Sequence, residues 1–260
     1  MTQDDRTGTS GMGQADAFAT IFAGLDRLGP GRAETSARML RAVAPFLPAA
    51  PRIADMGCGT GAGAVDLALS LPQAQVTAID ALPAMAAACR DRARRAGLGR
   101  QVTTFVGDMC GTGLATLGVA ELDLIWAESS IYAAGRATAL ASWRKLLRPG
   151  GWILFSDVVW LASPEERPPA AVAFWEQAYP DMVQPGQVIL EIAAAGLQPV
   201  TQHMLARADW QAYYAPLPAR LDDLRASAAE GSALGEAIAG LDLELQVFRD
   251  SFGSYTGGFF

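Results

Sequence analysis

The chain has 260 residues, 51% of them hydrophobic and 18% charged, which suits one or two folded domains and excludes a disordered chain. A formal net charge of -7 leaves no basic stripe for a phosphate backbone, so nucleic acid is excluded as the expected partner. With one histidine, His203, and three widely spaced cysteines, Cys58, Cys89 and Cys110, no zinc-type ligand spacing exists, and no run reaches the ~20 apolar residues of a membrane span.

Residues 1–13 are polar and rich in Gly and Thr, and read as a mobile start. Met1 to Arg6 carries acids where a secretory leader needs cations, which predicts a cytoplasmic setting. Phe18, Ile21, Phe22 and Leu25 recur at helical spacing between Gln14 and Arg27, and Met39, Leu40, Val43, Phe46 and Leu47 do so between Arg32 and Leu47. The pattern then alternates short apolar runs with helical stretches. Strands are predicted at 52–56, 75–79, 102–106, 122–126 and 152–156, with helices between them. Such alternation implies a parallel sheet covered on both faces, with ligands at the carboxyl ends of its strands.

The second half is less regular. Five prolines fall within 163–186, around a helical stretch from Ala170 to Tyr179. Helices are predicted at 187–195, 208–229 and 234–250, with strands at 198–205 and 255–260. This half reads as a cap and sheet edge.

The strongest chemical signal is Asp55-Met56-Gly57-Cys58-Gly59-Thr60-Gly61, directly after the first strand. Glycine lets backbone turn tightly and come close to a ligand, because no Cβ intervenes. Gly59-Thr60-Gly61-Ala62-Gly63-Ala64 also satisfies a dinucleotide fingerprint, so two nucleotide-type cofactors stay open at this point. Asp80 ends the second strand, where either cofactor wants an acid for ribose hydroxyls. Asp55 sits where an ammonium group can be held. Gly107-Asp108-Met109 follows the third strand and offers a carboxylate for an exocyclic amine beside an apolar face for a flat ring. Leu146 to Gly151 reads as a sharp stop and reversal before the fifth strand.

In order and at the right strand ends, these motifs resemble the class I S-adenosylmethionine-dependent methyltransferases over about residues 35–160. The stretch Asp123 to Tyr132 is similar to the small-molecule branch, related to the ubiquinone- and menaquinone-biosynthesis enzymes. The resemblance implies an α/β fold: a doubly wound, mostly parallel seven-stranded, Rossmann-like sheet with its last strand antiparallel. It implies one domain with an N-terminal helical lid at 1–34, a cofactor-binding core at 35–160, and a cap insertion and sheet edge at 161–260. The cofactor is then S-adenosylmethionine, lined at its methionine end by Asp55, Gly57, Cys58, Gly59 and Gly61. Asp80 takes the ribose hydroxyls, Ala81 and Met85 lie beside the ribose or adenine, and Gly107, Asp108 and Met109 frame the adenine. The Ala127 carbonyl holds the cofactor's amino group. Ala127-Glu128-Ser129-Ser130 departs from the Asn/Asp-Pro-Pro-aromatic motif of the amino methyltransferases, which argues against base amines as acceptors.

The expected reaction is direct methyl transfer to a small molecule without a metal. Glu128 is the first candidate base or cation anchor, against a plain first-turn acid; Tyr132 and His203 stand behind it. Asp157 reads as a turn residue. Trp160, Trp175, Tyr179, Trp210, Tyr213 and Tyr214 read as cap packing, with a cation cage as the rival reading. Rival functions are a non-catalytic S-adenosylmethionine-binding partner protein, a nicotinamide oxidoreductase, and non-methyl use of the same cofactor. A homodimer stays open.

Overall fold

The apolar runs pair as parallel strands because each is too hydrophobic to leave a face to water, and helices must cover both sides. A computed structural model describes residues 13–111, 114 and 121–260; the predicted mobile start lies almost wholly outside the described residues. In chain order come α1 (Gln14–Phe22), α2 (Ala33–Val43), β1 (Arg52–Met56), α3 (Ala62–Ser70), β2 (Gln75–Asp80) and α4 (Pro83–Arg95). Then follow β3 (Val102–Val106), β4 (Leu122–Ala127), α5 (Arg136–Arg144), β5 (Leu147–Trp160), α6 (Pro169–Ala178) and α7 (Pro185–Ala194). The last elements are β6 (His203–Met204), α8 (Arg207–Tyr214), α9 (Leu217–Arg225), α10 (Ala233–Ser251) and β7 (Tyr255–Phe259).

The strands form one seven-stranded sheet in the order β3-β2-β1-β4-β5-β7-β6. The first five are parallel; β7 runs antiparallel to β5, and β6 antiparallel to β7. Strand alternation splits the core in two. Ile53, Leu124, Trp126 and Leu154 pack on one face with α2, α3 and α4, while Ala54, Met56, Ile125 and Phe155 pack on the other with α5 and α7. The order reverses between β1 and β4, so the loops that follow β1 and β4 open a crevice at the strands' carboxyl ends.

Three expectations change. The stretch Arg148 to Gly151 is no reversal but a bulge inside a 14-residue β5: Leu122 pairs with Leu147 and Leu124 with Trp152. Pro and two Gly break the ladder locally, while the flanking apolar residues keep pairing. The strand expected at 198–205 shrinks to His203–Met204, because only those residues find partners on β7. The helix expected at 208–229 divides into α8 and α9 around Pro216, which has no backbone N–H to continue the ladder.

Above the strands' carboxyl ends, α1 packs against α9 and α10. Two anchors hold this layer. Arg220 on α9 donates to the Thr20 and Ile21 carbonyls at 2.6 and 3.2 Å, a cation at the C-terminal end of α1 where the helix dipole favours one. Asp209 on α8, almost fully buried, accepts from Thr35 Oγ1 at 2.6 Å and Arg32 Nε at 3.1 Å, and so ties the segment before α2 to the cap.

Candidate active site

Four loops converge at the switch point, those after β1, β2, β3 and β4, and they frame a cavity of about 730 Å³. Of the residues expected at the cofactor, Asp55, Gly57, Cys58, Gly59, Asp80, Ala81, Met85, Gly107, Asp108 and Met109 line it, together with Glu128 and Tyr132. The loop after β1 is held tightly. Gly57 and Cys58 N–H both donate to the Ile79 carbonyl at 2.8 and 2.9 Å, and Gly59 N–H donates to Asp80 Oδ2 at 2.8 Å. Asp80 Oδ1 accepts from Leu82 N–H at 2.9 Å, so this acid fixes two loops and still faces the cavity. Gly57 has φ +71, and a Cβ there would lie 2.4 Å from Ser130 Cβ; side-chain-free backbone is a condition of the cradle.

Asp55 is the unusual group. It is buried, and its Oδ2 has no hydrogen-bond partner among the described residues. Burial, reinforced by the negative charges of Glu128 and Asp80, pushes its carboxyl up to about 8. The backbone N–H of Ala64 serves the carboxyl, but an Oδ2 left buried and unpaired is costly unless a cationic ligand completes it. The orphaned oxygen, the glycine cradle and the acids at the β2 and β3 ends together fit a cofactor with an ammonium at one end and a nucleoside at the other.

Several expected residues stand elsewhere. Gly61 does not line the cavity; it caps α3 with φ +87, and a Cβ there would meet Cys89 Sγ at 2.6 Å, so it sets the approach of α3 to α4. Ala127 is fully buried in β4 and paired with Phe155, and is not among the lining of this cavity. His203 lies on β6, the outermost strand, opposite Phe259 and away from both cavities described here. Glu128 is engaged: it accepts from Arg27 Nη1 at 2.6 Å and from Trp126 Nε1 at 3.0 Å, while Arg27 also binds Asp66 at 2.6 Å. Glu128 therefore joins the Asp55 end of the cofactor cavity and not the wall of the chamber described next.

A second cavity, of about 620 Å³, adjoins the first. The two share Gln14, Phe18, Leu28, Gly29, Ser129 and Tyr132 as lining. Ser129 sits at the mouth with φ +51, its N–H donating to Ser156 Oγ at 2.8 Å. The second chamber is walled by α1, by α6 and by α10, and by aromatic rings. Trp175, Tyr179, Trp210 and Tyr213 of the sequence cluster line it, whereas Trp160 and Tyr214 do not. These rings are at once cap packing and chamber wall.

Asp157 is no turn residue. It lies within β5 on the chamber wall, with a fully buried side chain, and accepts from Arg136 Nη1 at 2.8 Å and Tyr179 Oη at 2.7 Å. Arg136 also donates to Glu191 at 2.7 Å, to the Asp181 carbonyl at 2.6 Å, and to Tyr179. Burial holds the Asp157 carboxyl above its ordinary range, with Arg136 and Tyr179 opposing it. Among the described residues, no three His, Cys, Asp or Glu side chains group as a metal site, and no helix is long and apolar enough to cross a membrane.

Residues 53–151 match a family described as a methyltransferase domain. The chain is 30% identical over 145 residues to a malonyl-[acyl-carrier protein] O-methyltransferase of Laribacter hongkongensis, covering 55% of this chain and 49% of that protein. It is 31% identical over 124 residues to a ribosomal RNA large subunit methyltransferase G of Pseudomonas aeruginosa, covering 46% and 32%. The chain thus spans about half, or less, of the length of these curated relatives. Its fold is similar to a S-adenosylmethionine-dependent methyltransferase from Geobacter sulfurreducens solved with S-adenosylhomocysteine. The TM-score is 0.76 at 20% identity, over 94% of this chain and 96% of that one. The two readings of the glycine loop are thereby decided against the nicotinamide one. Residues 53–151 thus match a methyltransferase domain, and the chain has the fold of an S-adenosylmethionine-dependent methyltransferase.

Proposed function

We propose that this chain transfers a methyl group from S-adenosylmethionine to a small, largely apolar acceptor seated in the second chamber. The observation that carries the reading is the joining of two cavities of similar size through Ser129 and Tyr132, one lined by the glycine loop and by Asp55, Asp80 and Asp108, the other walled by aromatic rings and roofed by α1 and α10. A concave chamber of this volume suits a metabolite, and among the described residues its lining has no Lys, Arg or His to meet a nucleic-acid backbone.

When bound, S-adenosylmethionine supplies a methyl group already activated by its sulfonium. The residues therefore have little covalent work. Asp55, with Glu128 behind it, would hold the ammonium; Asp80 would take the ribose hydroxyls, and Asp108 with Met109 the adenine. Ser129 and Tyr132 at the junction would set the line of approach, and the rings of α6 and α8 would exclude water. On this reading neither nucleic acid nor membrane takes part, and the setting is the cytoplasm.

The test uses Gly240 on α10, which lines only the second chamber and whose Cβ would meet nothing within 4 Å. Gly240→Phe should fill the chamber from a helix that tolerates it. Screening small metabolites with a homocysteine-release assay should find an acceptor whose turnover falls at least ~10-fold in Gly240→Phe, with S-adenosylhomocysteine affinity unchanged. Full turnover in that variant would place the acceptor elsewhere and sink the reading.

A further inference from the structure

We propose that Glu244 on α10 is the acceptor-recognition group of the second chamber, selecting an apolar molecule that carries a protonated amine. The inference rests on reading that chamber as the acceptor site. It starts from charge. Asp157, Glu236 and Glu244 are the ionisable carboxyls of the lining, and among the described residues no Lys, Arg or His lines it. Asp157 is already balanced by Arg136, whose guanidinium is turned to Asp157, Glu191, Tyr179 and the Asp181 carbonyl. Glu236 is exposed, at the rim. Glu244 has no such partner: Tyr214 Oη donates to its Oε1 at 2.7 Å, and it forms no ion pair among the described residues.

The surroundings make that deficit informative. Tyr214 hydrogen-bonds Glu244, and Tyr132, Trp175, Tyr179, Trp210 and Tyr213 line the same chamber. Tyr213 and Tyr214 have ring centroids 4.7 Å apart, and Tyr214 packs on Phe248 at 4.8 Å. Burial pushes the Glu244 carboxyl up, with only the Tyr214 hydroxyl opposing it. A carboxylate in an aromatic-walled chamber, with no cation of the protein's own in the described lining, is the composition that binds an ammonium: charge from the acid, quadrupoles from the rings. An anionic acceptor would meet like charge and no counter-ion. A neutral one would leave Glu244 desolvated and uncompensated.

The test uses the full chain saturated with S-adenosylhomocysteine, and three probes of equal length: 4-phenylbutylamine, 4-phenylbutan-1-ol and 4-phenylbutyrate. Calorimetric titration should show the amine binding about tenfold or more tighter than the alcohol, and the acid weakest. Glu244→Gln should erase the preference for the amine and leave the alcohol unchanged, while Glu236→Gln at the rim should keep it. If Glu244→Gln does not fold, the order of the three probes on the unaltered protein decides. Equal or stronger binding of the alcohol or acid, an amine preference that survives Glu244→Gln, or no binding of the amine overturns the proposal. Failure to saturate with S-adenosylhomocysteine would instead overturn the reading beneath it.

Discussion

Asp55 links the chemistry of the site to measurable proton traffic. Its carboxyl, ordinarily near 3.8, is pushed up to about 8 by burial and by Glu128 and Asp80. Between those values the folded chain keeps a proton that the unfolded chain releases, so this group's contribution to stability falls as pH rises through that window. An ammonium arriving at Oδ2 reverses the balance by favouring the ionised form. Calorimetry of S-adenosylhomocysteine binding near neutral pH, in buffers of different ionisation enthalpy, should therefore report release of about one proton. Asp55→Asn should abolish that release and weaken binding; unchanged proton release in the variant would assign it to another group. The residue scale is also where sequence reading did least. Asp55, Asp80 and Asp108 were legible because each lies at or just past the carboxyl end of a strand. Glu244 and Arg136 were not, because their significance comes from what folding removes: a counter-ion in one case, solvent in the other. Arg136 and its partners lie up to 55 residues apart, beyond any local pattern.

At the scale of elements, β1 to β4 were readable to within a residue, since a run buried on both faces must be apolar and its ends are marked by Gly, Asp or Pro. By contrast, β5 extends four or five residues beyond each end of the expected 152–156. What was not readable were features set by partners. The β5 bulge depends on register with β4, and the length of β6 depends on how much of β7 remains unpaired. Within β5, Asp157 is neutralised by α5 through Arg136, with side chains almost fully buried. Arg136→Ala would leave a buried charge alone, a loss of roughly 3–5 kcal/mol, or a Tm lower by on the order of 10 °C. The deficit should shrink at low pH, where Asp157 protonates, and adding Asp157→Asn should recover much of it. A thermal-unfolding series that showed the same deficit at every pH would contradict this account. The roof has its own test. Arg220→Ala removes the cation that holds the last carbonyls of α1, so amide exchange in 14–22 should quicken. Affinity for S-adenosylhomocysteine should fall several-fold, because Gln14 and Phe18 line its cavity. Faster exchange without any change in affinity would remove α1 from the site.

At the scale of the whole molecule, the two halves divide the task. The regular half carries the glycine loop and three strand-end acids. The irregular half adds the two-residue β6, the antiparallel β7 and helices α6 to α10, of which α6, α8 and α10 line the second chamber. The family match lies at 53–151, which is why the cavity at the switch point could be anticipated from motifs and the second chamber could not. The central claim is that the cavity at the switch point takes S-adenosylmethionine with Asp80 anchoring both ribose and glycine loop. Calorimetric titration of S-adenosylhomocysteine into the unaltered chain and Asp80→Ala tests it most directly. Saturable one-site binding, weakened about tenfold or more in a variant that remains folded, is the predicted result. No binding to folded, ligand-free protein, or equal affinity in Asp80→Ala, would contradict it.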